Sequence, residues 1–228
     1  CNITGTEANG IPVGQLKTVV DVFPHFDKAE NITTTNGGSI IENDENYRGR
    51  LREVPESFST AGPDGAYIFW AKTAHQNIID VAVSTPAPTE VNIYLWTSEG
   101  KATTEMKDLV FEVVNDRKIR PLTDKVTIED PTIKEYDLSF EWYLNKDDES
   151  LKDTIEANVL AELEDFINWQ KSKMGRDLNP DELVKKVKLA GVKRIKNLSI
   201  NFTELGYNEI AVISYNPENI VYKGSEAE

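Results

Sequence analysis

The chain has 228 residues, 39% of them hydrophobic and 28% charged, with a formal net charge of −14. That length can bury one large or two small cores, and four Trp, eight Tyr and eight Phe exceed what an acidic disordered chain carries. The acidic surplus argues against binding nucleic acid, which needs spare Lys and Arg to neutralise phosphate, and against docking on an anionic membrane. Cys1 is the single cysteine, so neither an intrachain disulfide nor a cysteine metal cluster can form within one chain.

Residues 1–43 are punctuated by Gly5, Gly10, Gly14, Pro24 and Asn36-Gly37-Gly38, with one short apolar run of strand character, Thr18–Phe23. They read as a loop-rich arm or the remnant of a preceding domain. The first residue is not Met, which is read here as the mark of a processed or truncated product with sequence missing upstream.

A first α+β domain is expected over residues 44–121. Asn43-Asp44-Glu45 offers caps and acids for a helix that uses Tyr47, Leu51 and Val54 and ends at Pro55. A turn at Ala61–Gly65 leads into a second helix, Ala66–Ala74. Ile79, Val81 and Val83, then Val91, Ile93 and Leu95, alternate with their neighbours and predict a hairpin across Ser84–Thr89. Met106, Leu109, Val110, Val113 and Val114 follow at the spacing of a helical apolar stripe.

A second α+β domain is expected over residues 122–228. Val126 and Ile128 suggest a short opening strand. Tyr136, Leu138, Phe140, Trp142 and Leu144 alternate with polar residues and predict a long strand in an antiparallel sheet covered on one face. Leu151, Ile155, Val159, Leu163, Phe166, Ile167 and Gln170 mark one face of a long helix that Gly175 stops. Asn179-Pro180-Asp181-Glu182 has the cap, the proline and the acids of a helix start. Ile195, Leu198, Ile200 and Phe202 then suggest a strand, with Ile210–Ile213 as its hairpin partner. The fold class is therefore α+β: two small domains with antiparallel hairpins and packed helices, preceded by a loop-rich arm.

No reactive constellation emerges from the residues. His25 and His75 lack paired metal-ligand spacing, no carboxylate pair has arguable acid–base geometry, and no phosphate-binding loop or nucleophile motif is present. Four glycosylation sequons, at Asn2, Asn31, Asn197 and Asn201, have no secretory signal ahead of them and are read as incidental. The basic run Lys185, Lys186, Lys188, Lys193, Arg194 and Lys196, with no acid between Glu182 and Glu204, is foremost a solvated helix face. A nucleic-acid patch would want exposed aromatics; a dock for an acidic partner, or for a copy of this protein, is the intermediate reading.

The order of several strings resembles the baseplate J-like proteins of contractile-tailed bacteriophages. They are Gly5-Thr-Glu-Ala-Asn-Gly-Ile-Pro-Val-Gly-Gln-Leu16, Gly37-Gly38, Glu45-Asn-Tyr-Arg-Gly-Arg-Leu-Arg52 and Ser59-Thr-Ala-Gly-Pro-Asp-Gly-Ala-Tyr67. Trp70-Ala-Lys72, Asp80-Val-Ala-Val-Ser-Thr-Pro86, Val91-Asn-Ile-Tyr94 and Arg120-Pro-Leu-Thr-Asp124 follow, then Gly175-Arg-Asp177 and Gly191-Val-Lys-Arg194. Ala87 departs from the family pattern, which has a glycine soon after the first proline of that turn.

The resemblance implies the C-terminal portion of a structural wedge subunit with no catalysis and no cofactor. It would assemble around a central hub with other wedge proteins and copies of itself, and rearrange on contraction. Its place would be the tail baseplate of a phage or tail-like particle made in the bacterial cytoplasm. Arg120, Arg176, Lys193 and Arg194, which lie in these strings, are the candidate interface residues, and the joint between domains is expected near Arg120-Pro121. The competing class is a secreted or surface carbohydrate- or host-binding module using Tyr94 and Trp96, against which stands their simple burial under the Met106–Val114 helix or an adjoining subunit.

Overall fold

The computed structural model describes residues 5–18, 20, 24–25, 27–36, 38, 41–58 and 63–227. Cys1, the sequon at Asn2, most of the expected strand Thr18–Phe23, Gly37 and Ser59–Gly62 lie outside the described residues. The chain divides into two units, residues 1–51 and 52–228.

In the first unit, two stretches distant in sequence are tied by polar groups. The Gly10 and Gly14 amides donate to the Thr35 and Asn31 carbonyls at 2.7 and 2.9 Å. Asn9 closes a two-way amide bridge with the Gly38 backbone, donating to its carbonyl at 2.7 Å and accepting from its N–H at 2.9 Å. A Cβ on Gly38 would collide with the Gly5 carbonyl oxygen, so this position admits glycine alone. Asn31 donates to the Pro12 and Thr33 carbonyls and accepts from the Leu16 amide. Its side chain is thus a staple of the loop. The first helix, α1, runs Asp44–Ser57 with Asn43 accepting from the Asn46 amide at 2.9 Å, and it continues past Pro55 where the sequence suggests an end. α1 buries no residue.

The second unit contains two sheets. In the first, β1 (Ile78–Ser84) and β2 (Glu90–Thr97) form the expected antiparallel hairpin, and the short β3 (Gly100–Lys101) continues from β2. Helices α2 (Asp64–Ala74) and α3 (Thr104–Val114) cover one face, with Tyr67, Ala71, Val110 and Val114 packed on Val81, Val91, Ile93 and Leu95. A register shift between Ile78 and Asp80 brings Ile78 into this core in place of Ile79, which turns to the opposite face. In the turn between β1 and β2 the left-handed residue is Thr89, φ 70°, two places beyond Ala87. The strand containing Val126 and Ile128, β4 (Lys125–Glu129), pairs parallel with β2 and completes the first sheet rather than opening the second.

The second sheet has β5 (Thr132–Asn145) at its centre, between β6 (Arg194–Lys196) and β7 (Glu209–Glu226). β6 is antiparallel to β5, but β7 runs parallel to it, so the Ile210–Ile213 segment is not a hairpin partner of the strand before it. That arrangement follows from the two helices between β5 and β7, which supply the crossover a parallel pair requires. A 3-10 turn, Lys146–Leu151, leads into α4 (Lys152–Gln170), and α5 (Pro180–Leu189) follows. Asn179 caps α5 by accepting from the Asp181 amide at 3.0 Å. Ile155, Val159, Leu163 and Phe166 of α4 and Leu183 and Val187 of α5 enclose Leu138, Phe140, Trp142 and Leu144. The expected strand from Ile195 to Phe202 breaks at Asn197, φ 52°, after which Ser199 serves the β5 edge by bonding to Ser139 and Asp137.

Candidate functional site

The strand alternation that buries Val91, Ile93 and Leu95 under α2 and α3 sends Tyr94 and Trp96 to the bare face of the first sheet. There the second sheet covers them. Trp96, 4% exposed, packs with Ile210 of β7 and Met174 of the loop after α4, flanked by Ile79, Ala82, Ile133 and Val212. Its indole N–H donates to the Lys171 carbonyl at 2.8 Å. Tyr94 meets Tyr207 edge-on at 6.1 Å between ring centres. The expectation of burial holds for Trp96, while Tyr94 is only partly buried, and their cover is the C-terminal module and not α3.

A partly buried carboxylate completes this joint. Asp80, on the same face of β1, accepts from the Met174 amide at 2.7 Å. Burial raises its pKa, opposed by that hydrogen bond and by the charges of Lys72 and Lys173. Gly175 follows with φ +66°, and a Cβ there would meet the Tyr207 Cα at 3.2 Å, closer than backbone allows without a shift. Asp177 accepts from the Leu205 amide at 2.9 Å. Sequence reasoning missed this cluster as a unit. Its signals were a charged residue within an apolar strand and a glycine followed by Arg-Asp.

The four candidate interface residues do not form one site. Arg120 donates to the Pro121 and Asp124 carbonyls and closes the loop before β4, where the Asp124 carboxylate accepts the Tyr67 hydroxyl at 2.8 Å. Desolvation, then that bond, pushes the Tyr67 pKa up. Arg176 lies 4.1 Å from the Trp169 ring centre and donates to the Trp169 carbonyl and to Ser172 at 3.0 Å; burial lowers its pKa, with Asp80 opposing. Lys193 and Arg194 do come together. Lys193 donates to the Ala227 carbonyl at 2.7 Å, while Arg194 makes a bidentate pair with Glu226 and sits 4.3 Å from the Tyr143 ring centre. Each of the four is engaged within the chain.

Among the described residues, no three His, Cys, Asp or Glu side chains are placed to hold a metal ion, and no helix is long and apolar enough to cross a membrane. A cleft of about 200 Å³ lies at the rim of the joint, lined by Ile79, Trp96–Gly100, Lys171 and Val212. It presents the single carboxylate of Glu99, without the second acid or base that proton transfer chemistry would pair with it.

Residues 59–129 match the model of the Baseplate J-like central domain, and the match ends on the last residue of β4. The matched stretch takes in α2, the first sheet and α3. Over 170 residues the chain is 29% identical to baseplate protein J of Escherichia phage P2, covering 74% of this chain and 55% of that protein. The chain thus spans about half the length of the curated relative it matches. A chain in the cryo-EM structure of the anti-feeding prophage baseplate, 6-fold symmetrised, aligns with a TM-score of 0.53 at 10% identity, over 88% of this chain and 47% of that one. Identity that low bears on fold alone, and it extends the likeness beyond the baseplate J-like domain to both sheets.

Proposed function

We propose that the chain is part of a structural subunit of the baseplate of a contractile tail, in a phage or a tail-like particle. The observation that carries this reading is the 170-residue match to baseplate protein J of phage P2. The geometry agrees with it. The strings that resemble the family resolve into staples: Asn9 to Gly38, Arg120 and Tyr67 to the Asp124 loop, Asp80 to Met174. Residues used to hold backbone in place are what a scaffold needs.

The subunit acts as a wedge component, contacting other wedge proteins, further copies of itself and a central hub, and it has no catalytic role. Arg120, Arg176, Lys193 and Arg194 support those contacts indirectly, by fixing the loops and edges that partners meet. Residues 1–43 form an arm that gains its packing from a partner, and of the two α+β domains that follow the first extends through β4, so their joint falls after Glu129 and not at the expected Arg120-Pro121. Supporting this are Val13, Leu16, Val20 and Ile32, all exposed. A carbohydrate-binding reading loses the aromatic pair on which it rested, since Trp96 is enclosed by the second sheet.

The test is to express the full-length protein with the products of the adjacent reading frames and run them on gel filtration at micromolar concentration. Co-elution as a defined complex is expected. Separate elution of every candidate partner would overturn the scaffold reading.

A further inference from the structure

β6 is an outer strand of its sheet and three residues long, and a groove of about 220 Å³ follows it. Val184 and Lys188 of α5 form one wall and Arg194–Leu198 the other. Ile195 and Leu198 pack toward the C-terminal core, while Arg194 and Lys196 lie over the Tyr143 ring on the opposite face of the sheet. Side chains from both faces of the outer strand therefore meet in the groove, which is the position an added strand occupies.

The groove is also a basic island on an acidic molecule. The carboxylate partners in this segment are Glu182 for Lys185, Glu162 for Lys186 and Glu226 for Arg194. Among the described residues, Lys188, Lys193 and Lys196 have no carboxylate partner. Glu226 is held below the ordinary carboxylate range by Arg194 first, with Lys193 and Lys196 adding to it, and Glu141, opposite Lys196 on β5, is already engaged by Asn197 and Lys223. Lysines on a short outer strand commonly guard a sheet against unwanted pairing. The same charges repel a basic or like edge and favour an acidic one.

We propose that the groove between α5 and β6 takes an extended acidic segment of a partner protein. The segment adds to β6 as a strand, sets carboxylates against Lys188 and Lys196, and seats an apolar side chain on Val184, Ile195 and Leu198. A short segment fits better than a folded acidic body or a second copy, which would bring a further −14 against this chain's own −14. Charges beyond about 8 Å are screened at physiological salt, so a local island attracts a short acidic stretch despite the net charge. The inference goes beyond the baseplate reading and holds whether or not that reading does.

The test uses the 228-residue chain and a fluorescein-labelled peptide of alternating Glu and Val, with a Lys/Val peptide and single-stranded oligo-dT as controls. Saturable binding of the Glu/Val peptide alone is expected, weakening with salt. It should weaken by about tenfold or more in the double variant Lys188→Glu/Lys196→Glu, whose far-UV spectrum and melting stay unchanged. Hydrogen exchange should slow at Arg194–Asn197 on binding. Absent binding, equal binding of oligo-dT, equal affinity of the double variant or protection elsewhere would each overturn the proposal. So would a dimer of the unmodified chain that this double variant abolishes, which would make a second copy the occupant. Should the double variant fail to fold, Lys196→Gln alone serves, with the same peptide and a smaller expected loss.

Discussion

Trp96 meets three demands together: its ring fills the space between the sheets, its N–H satisfies the Lys171 carbonyl, and its strand neighbours Leu95 and Thr97 are themselves buried. Trp96→Phe would keep most of the apolar surface and leave that carbonyl without its donor, a cost of about 0.5–1.5 kcal/mol for the lost hydrogen bond. Urea unfolding followed by circular dichroism measures it. Asp80 makes a second demand, of opposite sign in pH. Its folded pKa is raised above the unfolded value, so the native state holds that proton more tightly than the unfolded chain does. Its relative contribution is most favourable below the ordinary carboxylate pKa and is lost as pH rises through the folded value. Asp80→Asn removes this dependence. The variant's stability relative to the unmodified protein should improve from acid to neutral pH, as urea midpoints at several pH values would reveal; a difference that stays flat with pH would contradict the assignment.

At the scale of elements, the local signals were legible and the long-range pairings were not. Asn179-Pro180-Asp181-Glu182 announces a helix start because a cap bonds only to its own first turn, and α5 begins there. Asn179→Ala should cost about 1 kcal/mol, measurable as a lowered melting temperature. The hairpin of β1 and β2 was legible because its two alternating runs are joined by a short turn. The pairing of β4 with β2 and of β7 with β5 was not, since a parallel partner leaves no local trace: Val126 and Ile210 look the same beside either sheet. The register shift at Ile78–Asp80 was likewise hidden, because alternation alone assigns Ile79 to the core. The joint around Trp96 was the least legible part, as its members come from β1, β2, β7 and the loop after α4, and the Asp80–Met174 bond alone spans 94 residues. The strings resembling the family pointed to these positions without saying that they meet.

For the whole molecule, the two sheets of the second unit share a buried seam, whereas the first unit is tied chiefly by amides and hydroxyls and exposes its apolar side chains. Trp96, Met174 and Ile210, with the partly buried Asp80 carboxylate bonded to the Met174 amide, tie the two sheets together. The net charge of −14, which at first served to exclude nucleic acid and membrane, takes a further meaning beside the basic island at β6: it selects short acidic segments over whole acidic proteins. The proposed role in a contractile baseplate is tested most directly by location. Antibodies against residues 63–227, coupled to gold and applied to purified tails of the parent particle, should label the distal end of the tail in electron micrographs, where the baseplate sits. Label along the sheath, or intact tails without the protein, would contradict it.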